Sequence, residues 1–485
     1  MSRSREADSA LQLKILQVGF VLVFLAAVLY GVRGMMFGSK TIAGLIGFCS
    51  LGVAAVFMLD DKFWLACPVL SVFGLGFSIP GLPFSGIELG CLFVSVVYFI
   101  RLAIRRGRPP VFDRDLLILF PLILWIFAVF CSKPTGFVIS GSKTIGGRFY
   151  FEILIGFITL VSLSAQRIDE KGAKMLFHAL LVAQVVALVK GILIPTETSD
   201  DAVAMVGIEP EVRARYALIG CVSIYTLLFA RYSLSQILRS VSKLVLFCTL
   251  GLLTIYSGKR RAFGTLAVVP LVRMVLTKRD KFLTVAMAFL AVVFLCFAAM
   301  GDGKYYELPR SAKRALAVLF PKYKNSANTG GLLDYFREQM REQAREVIRE
   351  NPWFGRRGFS MRFEETAWIN FGGGRTSEFA AHAYAGNWHS TWYAYAADFG
   401  IPCLLFYLLF FLYMLRYAWR GSREVVQGTY LPTCCLYYSF SLFVYAAFSF
   451  TSGHSARTLI SNCITYGMLL AIVRGYRETH SELAV

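Results

Sequence analysis

The chain is short of charge. Only 16% of its 485 residues are Asp, Glu, Lys or Arg, against about a quarter in ordinary soluble domains, and this excludes a soluble globular protein. Acidic residues are the scarcer kind: 30 Asp and Glu stand against 50 Lys and Arg, a formal charge of +20. In a soluble chain that imbalance would suggest nucleic acid. Here the basic residues punctuate long apolar runs, so the charge reads as membrane topology and attraction to anionic head groups, with no nucleic-acid partner. The 11 cysteines lie almost all in apolar runs, and the long polar segment Gly301–Trp388 has none. No C-x-x-C and no zinc-type spacing occurs, so neither disulfides nor a structural metal is expected. The first apolar run lacks a clear small-residue cleavage site, so the basic stretch Met1–Lys14 reads as the lead-in to a retained helix. Internal repeats and low-complexity tracts are lacking too.

What is abundant is apolar sequence. Hydrophobic residues make up 56% and aromatics 15%, and mean hydropathy is +0.59. A bilayer-crossing helix needs roughly 20 apolar residues, and about fourteen such spans can be drawn, with twelve as the alternative. They fall near 15–32, 41–59, 63–80, 87–104, 115–131, 149–165, 174–194, 216–230, 243–257, 262–277, 282–300, 391–416, 431–452 and 456–473. The expected fold is an all-α integral membrane protein with a large extracytoplasmic loop. The expected parts are an N-terminal transmembrane bundle (1–300), an outer loop with an amphipathic helix (301–390), and C-terminal transmembrane helices with a cytoplasmic tail (391–485).

Short loops set the orientation. With the N-terminus inside, Arg101, Arg105, Arg106, Arg108 and Arg114 fall inside, as do Arg167, Lys171, Lys174, Arg231, Arg239, Lys243, Lys278, Arg279, Lys281, Arg416, Arg420, Arg423, Arg474 and Arg477. This is the positive-inside pattern, and it leaves Gly301–Trp388 outside. Three basic clusters oppose it: the turn Ser257-Gly258-Lys259-Arg260-Arg261, the pair Arg213 and Arg215, and Lys143 with Arg148. Each could snorkel or pair with a neighbouring carboxylate. Three together on the outer rim favour a held anion, and a diphosphate on a membrane lipid suits guanidinium forks.

Within the outer segment, Leu333, Phe336, Met340, Ala344, Val347 and Ile348 recur at helical spacing, with Glu338, Glu342, Glu346 and Arg341, Arg345, Arg349 on the other faces. That describes a solvated helix packed by one stripe, stopped by Pro352. The turn Asn351–Gly358 follows it, with Trp353 exposed and able to line a sugar site. The segment ends at His389-Ser390, where the next apolar run begins. A histidine at a helix mouth on the bilayer surface can take or orient a hydroxyl proton near neutral pH. Trp392 and Tyr393 share its expected helix face and suit a sugar ring, or else an interfacial aromatic belt. Asp398 lies almost opposite, so it is expected to pair with a basic residue from another span. His454 is the fallback base, and His382 has less support.

These pieces resemble the O-antigen ligase and polysaccharide polymerase superfamily of bacterial membrane glycosyltransferases. The resemblance rests on His389-Ser390 followed by Gly400-Ile401-Pro402-Cys403, with Asp398 two before the glycine. Cys403 departs from the family's usual small residue. Ser257-Gly258-Lys259-Arg260-Arg261-Ala262 is similar to the family's Gly-Ser-Arg-Gly-Ala turn, with Lys259 and Arg261 as departures. Pro352-Trp353-Phe354-Gly355 is similar to its Pro-x-x-Gly element, and Arg213 and Arg215 stand where the family has an arginine. The resemblance covers roughly residues 200–475.

It implies a class C-like glycosyltransferase in the bacterial plasma (inner) membrane, with its active site on the periplasmic side. It implies no cofactor, no metal and no nucleotide sugar. The donor would be an undecaprenyl-diphosphate-linked glycan, and the acceptor lipid A–core in a ligase or a lipid-linked glycan in a polymerase. His389 would be the catalytic base, Arg260 and Arg261, then Arg213 and Arg215, the diphosphate ligands. Trp392, Tyr393 and Trp353 would line the sugar and acceptor, with Asp398 in support. The competing expectation is a transporter or flippase of lipid-linked saccharides. Transporters keep ionisable groups near the midplane, and here only Glu152, Lys190 and Arg273 sit in or near apolar runs.

Overall fold

The computed structural model describes residues 60–73, 85–105, 107–132, 148–193, 218, 220–257, 260–278, 280–308, 313, 316, 320–323, 330–358, 388, 390–450 and 455–481. The described residues form an all-α integral membrane protein. Its helices are α1 (Ala66–Phe73), α2 (Gly86–Ala103), α3 (Arg114–Leu117), α4 (Phe120–Ser132), α5 (Arg148–Ser164), α6 (Glu170–Leu193), α7 (Gly220–Arg231) and α8 (Leu234–Leu238). They continue with α9 (Val241–Tyr256), α10 (Arg260–Thr277), α11 (Lys281–Gly301), α12 (Gly330–Glu350), α13 (Thr391–Phe399), α14 (Ile401–Glu424), α15 (Leu431–Phe448) and α16 (Ser455–Ser481). Among the described residues seven stretches are long and apolar enough to cross a membrane. The first two expected spans, 15–32 and 41–59, lie outside the described residues.

α16 is the central post. Its spanning stretch is 89% buried, whereas that of α11 is 11% buried and turns most of its apolar surface outward, as lipid contact requires. α16 lies along α5 because small residues let the two backbones approach. A Cβ at Gly156 would sit 3.0 Å from the Ile460 Cα, and one at Gly467 would sit 2.9 Å from the Leu163 Cβ. Close approach of this kind replaces the hydrophobic drive that lipid removes.

The two ends of the bundle differ in charge. At one end Arg474 pairs with Asp113, Arg108 with Glu478 and Arg477 with Glu424. The Glu170 carboxylate, opening α6, accepts the N–H groups of Thr429, Tyr430 and Leu431 at 2.8, 2.8 and 3.0 Å. An anion there satisfies the unpaired donors and the positive dipole end of α15. Counting helix directions from this end, the loops expected inside converge on it. The opposite end gathers the C-termini of α11 and α15, the N-terminus of α10, and α13.

At that second end the outer segment is tied down. Asp302, capping α11, pairs with Lys313 and accepts the Leu308 N–H at 2.7 Å. Tyr306 and Tyr323 donate to the carbonyls of Ala298 and Ala299. α12 lays Met340 and Ala344 against Trp388, Ala394 and Ala397, as its stripe predicts. Its outer face carries the Arg341–Glu338 pair at 3.3 Å. The side chains of Leu333 and Phe336 lie outside the described set.

One expected span is corrected. The run 391–416 is not a single helix: it breaks at Gly400 into α13 and α14. Gly400 has φ +89°, and a Cβ there would lie 1.9 Å from the Trp353 carbonyl oxygen. Only glycine tolerates that backbone and that approach. Pro402 sits in the first turn of α14, where a missing N–H costs nothing.

Candidate functional site

The break creates the site's scaffold. α13 is nine residues long, roughly 13 Å at 1.5 Å per residue, and both its ends touch the same end of the bundle. Its first residue meets the C-terminus of α15: the Thr391 N–H donates to the Ser449 carbonyl at 3.0 Å. At its last residue, Phe399 packs edge-on to Tyr150 at the start of α5. α13 therefore lies across the bundle end, not down through it.

The C-terminal carbonyls of α13, normally orphaned, are all taken up. Ala396 O accepts from Gly400 N–H at 2.9 Å, Ala397 O from Arg356 N–H at 2.8 Å, and Asp398 O from Gly358 N–H at 2.6 Å. Phe399 O accepts from Trp125 Nε1 at 2.9 Å. Ile401 N–H donates to Pro352 O at 2.8 Å, and Phe354 stacks on Trp125. The turn Asn351–Gly358 is thus stapled to the α13–α14 junction by backbone bonds.

Asp398 sits at the centre of this staple and is fully buried. Its Oδ1 accepts from Arg356 Nε and Nη2, both at 2.8 Å, and from Trp388 Nε1 at 2.9 Å. The Arg356 guanidinium also lies over the Trp388 ring. A buried carboxylate must be paired and hydrogen-bonded, and it is. Asp398 was expected to pair with a base on another span. Its partner Arg356 comes instead from the turn after α12. Through Trp388 this pair fixes the residue that immediately precedes His389.

The other end of α13 is held by hydroxyls. Thr391 Oγ1 and Tyr445 OH lie 2.6 Å apart, Tyr407 OH donates to Tyr445 OH at 3.2 Å, and Asn462 Nδ2 donates to Tyr407 OH at 3.0 Å. Trp392 Nε1 donates to Ser449 Oγ at 3.1 Å. Arg261, exposed in the first turn of α10, lies within electrostatic reach of Tyr445. α10 is pressed on α15 here, since Gly264 faces the Phe448 ring so closely that a Cβ would come to 2.5 Å. Tyr445 thus sits between the arginine turn and the start of α13.

The expected site residues divide accordingly. Arg261, Trp392, Tyr393 and Asp398 are brought to one end of the bundle, and the backbone of Arg260 opens α10 beside them. Trp353 is exposed on the stapled turn. Tyr393 accepts a hydrogen bond from Arg345 Nε at 3.3 Å, so it belongs to the α12 contact. Trp392 is half-buried among Tyr407, Phe411 and Phe450, which leaves Trp353 the most open of the three aromatics. His389, Arg213, Arg215, Lys259, His382 and His454 lie outside the described residues; Trp388 and Ser390, flanking His389, are both buried.

Sequence reasoning missed Arg356, Trp388, Thr391 and Tyr445. For Arg356 a signal existed: two arginines bracketed by Gly355 and Gly358, in a turn already singled out. Arg273, noted as ionisable within an apolar run, donates to the carbonyls of Phe229 and Ala230. That is a cap on the last turn of α7, not a midplane transport site.

In comparison with known families, the family model described as O-antigen ligase matches residues 244–408. The matched stretch runs from α9 into α14 and contains the arginine turn, the outer segment, α13 and the Gly400 break. No curated protein matches the chain. The family match supports an O-antigen ligase or polymerase type of function in general.

Proposed function

We propose, from the match of residues 244–408 to the O-antigen ligase family model, that the chain transfers a glycan from an undecaprenyl-diphosphate donor to an acceptor hydroxyl at the periplasmic face of the bacterial inner membrane. The observation that supports this reading is that Tyr445, in hydroxyl contact with Thr391 two residues after His389, also feels the charge of Arg261 in the first turn of α10.

The chemistry has two requirements. The acceptor oxygen bonds to the anomeric carbon as the bond from that carbon to the diphosphate breaks. The electron pair leaves with undecaprenyl diphosphate, whose added negative charge needs fixed cations in a partly dehydrated setting. Arg260 and Arg261 supply them, with Arg213 and Arg215 behind. The acceptor hydroxyl gives up its proton to His389, a step typically worth about 10²–10⁴-fold in rate. Arg356 and Asp398 do not touch the reacting atoms. They hold Trp388, and with it the approach to His389. Trp353, open to solvent, offers a face for the sugar ring.

The acceptor follows from what accumulates when the gene is deleted. Unattached full-length chains indicate a ligase acting on lipid A–core, and loss of chain length alone indicates a polymerase acting on lipid-linked repeats. Purified protein given a lipid-diphosphate-linked glycan tests the reaction itself. His389→Ala and Arg260→Ala should each abolish transfer while insertion and abundance stay normal. Full activity in both variants removes the site assignment, and transbilayer movement of the donor without transfer makes the protein a transporter.

A further inference from the structure

At the end of the bundle opposite α13 lies a cavity of about 260 Å³ bordered by Arg101, Arg108 and Arg167, with Phe63, Tyr98 and Gln166 completing the wall. None of these residues takes part in the proposed transfer. The convergence is built by two helix C-termini. α2 ends at Ala103, and the chain then doubles back. Arg105 adopts φ +57°, Gly107 N–H donates to the Arg101 carbonyl at 2.9 Å, and Tyr98 OH donates to the Arg108 carbonyl at 3.0 Å. A Cβ at Gly107 would stand 2.9 Å from the Leu102 nitrogen, so the return needs glycine. α5 ends at Ser164, and Arg167 Nη1 donates to the carbonyls of Ser164 and Gln166 at 3.2 and 2.9 Å. Guanidiniums are favoured at such carbonyl-rich helix ends. Arg101 lies over the Phe63 ring at 5.5 Å.

Among the described side chains, the carboxylate of Glu478 reaches in from the rim. Glu478 Oε2 lies 2.6 Å from Arg108 Nη1 and 3.2 Å from Arg167 Nε. The Glu478 and Arg108 side chains are 41% and 56% exposed, and ion pairs this exposed contribute about 1 kcal/mol or less. A stronger anion can displace the carboxylate. Burial above all holds Arg167 below its ordinary value, with the Arg474 and Arg108 guanidiniums adding to it and Glu478 opposing.

We propose that this cavity binds a phosphate group, on the membrane face opposite to glycan transfer. The Arg108 and Arg167 guanidiniums meet at one carboxylate oxygen and Arg101 lines the same cavity, a donor set that suits the several oxygens of a phosphate. The cavity's volume of about 260 Å³ admits a head-group phosphate. The phosphate has two sources, an anionic lipid of the facing leaflet or a soluble phosphate, and the gathering of basic loops at this end favours the lipid.

The full-length protein purified in detergent tests this in two arms. Native mass spectrometry with phosphatidylglycerol against phosphatidylcholine reads lipid retention, and thermal stabilisation by inorganic phosphate reads the soluble source. One charge-assisted contact fewer should weaken binding about tenfold, so Arg101→Gln and Arg108→Gln should each lose that much in whichever arm is positive. Glu478→Gln removes the competing carboxylate and should tighten binding, a direction that misfolding cannot mimic. Selective phosphatidylglycerol retention identifies the lipid, and stabilisation by phosphate alone identifies the soluble anion. Equal behaviour of all variants in both arms, or weaker binding in Glu478→Gln, overturns the proposal. Glycan transfer, measured at the other end, is a separate readout whose loss would not bear on this cavity.

Discussion

Replacing Arg356 with methionine strips the buried Asp398 carboxylate of two charge-assisted hydrogen bonds at 2.8 Å while leaving it fully buried. Breaking a buried pair from one side costs about 3–5 kcal/mol, because the remaining charge is stranded. Asp398→Asn removes the charge but keeps an oxygen able to accept from Trp388 Nε1, so its cost should be nearer 2 kcal/mol, that of losing charged hydrogen bonds. In the double variant no charge is stranded. The two losses should then fall short of adding by about 1–3 kcal/mol, the coupling expected of residues in one network. The measurement is a double-mutant cycle of unfolding free energy by denaturing-detergent titration of the protein in mixed micelles, with glycan transfer assayed alongside. Release of Trp388 should lower transfer about 10²-fold, the loss that follows a displacement near 1 Å at a reacting group. Additive losses within 0.5 kcal/mol, about the scatter of independent sites, together with unchanged transfer, would refute the claim that this pair positions the approach to His389.

Four further outcomes are expected. Gly400→Ala forces a Cβ to 1.9 Å from the Trp353 carbonyl at φ +89°. Backbone strain alone costs about 1–3 kcal/mol, and protease should cut the 351–358 turn faster in this variant. Tyr445→Phe deletes the hydroxyl shared by Thr391 and Tyr407. It should cost about 1–3 kcal/mol as buried partners lose their bonds and reduce transfer without changing insertion, which kinetics on purified protein will read. Asp302 is pulled two ways: burial raises its carboxyl, but hydrogen bonds from Leu308 N–H and Lys313 leave it below the ordinary range. Its stabilisation of the outer segment is therefore fully present above the ordinary carboxylate range and is lost only as pH falls through the lowered value. Proteolysis rates of that segment should match at pH 5 and pH 7 and rise in Asp302→Asn. For orientation, a cysteine at Ser311 should react with an impermeant reagent from outside the cell, and one at the exposed Lys171 should not; the reverse pattern would invert the assignment of faces.

Much of the fold could be read from the chain because lipid leaves few options. Apolar runs such as 282–300 must be helices, and basic loops such as Arg167–Lys174 mark one end of each. The helix α12 was equally legible, since Met340 and Ala344 sit on a stripe that the charged faces isolate. The break at Gly400 was not, although Gly400-Ile401-Pro402 carries a breaker signature. The apolar run continues through it, and hydropathy has no term for backbone direction. The candidate site was legible only in its parts. Arg260, Arg261 and Asp398 stood out as charges in apolar surroundings. The pairing of Asp398 with Arg356 spans 42 residues and that of Thr391 with Tyr445 spans 54, and such contacts exist only once the bundle has closed. Hydroxyls such as Tyr445 give no sequence signal, because an interfacial tyrosine and a buried hub look alike.

The central claim is that this end of the bundle moves a glycan off a lipid diphosphate. The direct measurement is simultaneous quantitation of undecaprenyl diphosphate released and glycoside formed by purified protein in proteoliposomes. The account expects one of each per turnover, with both absent in His389→Ala. Undecaprenyl diphosphate held intact on its glycan, in a preparation that binds the donor, would contradict it.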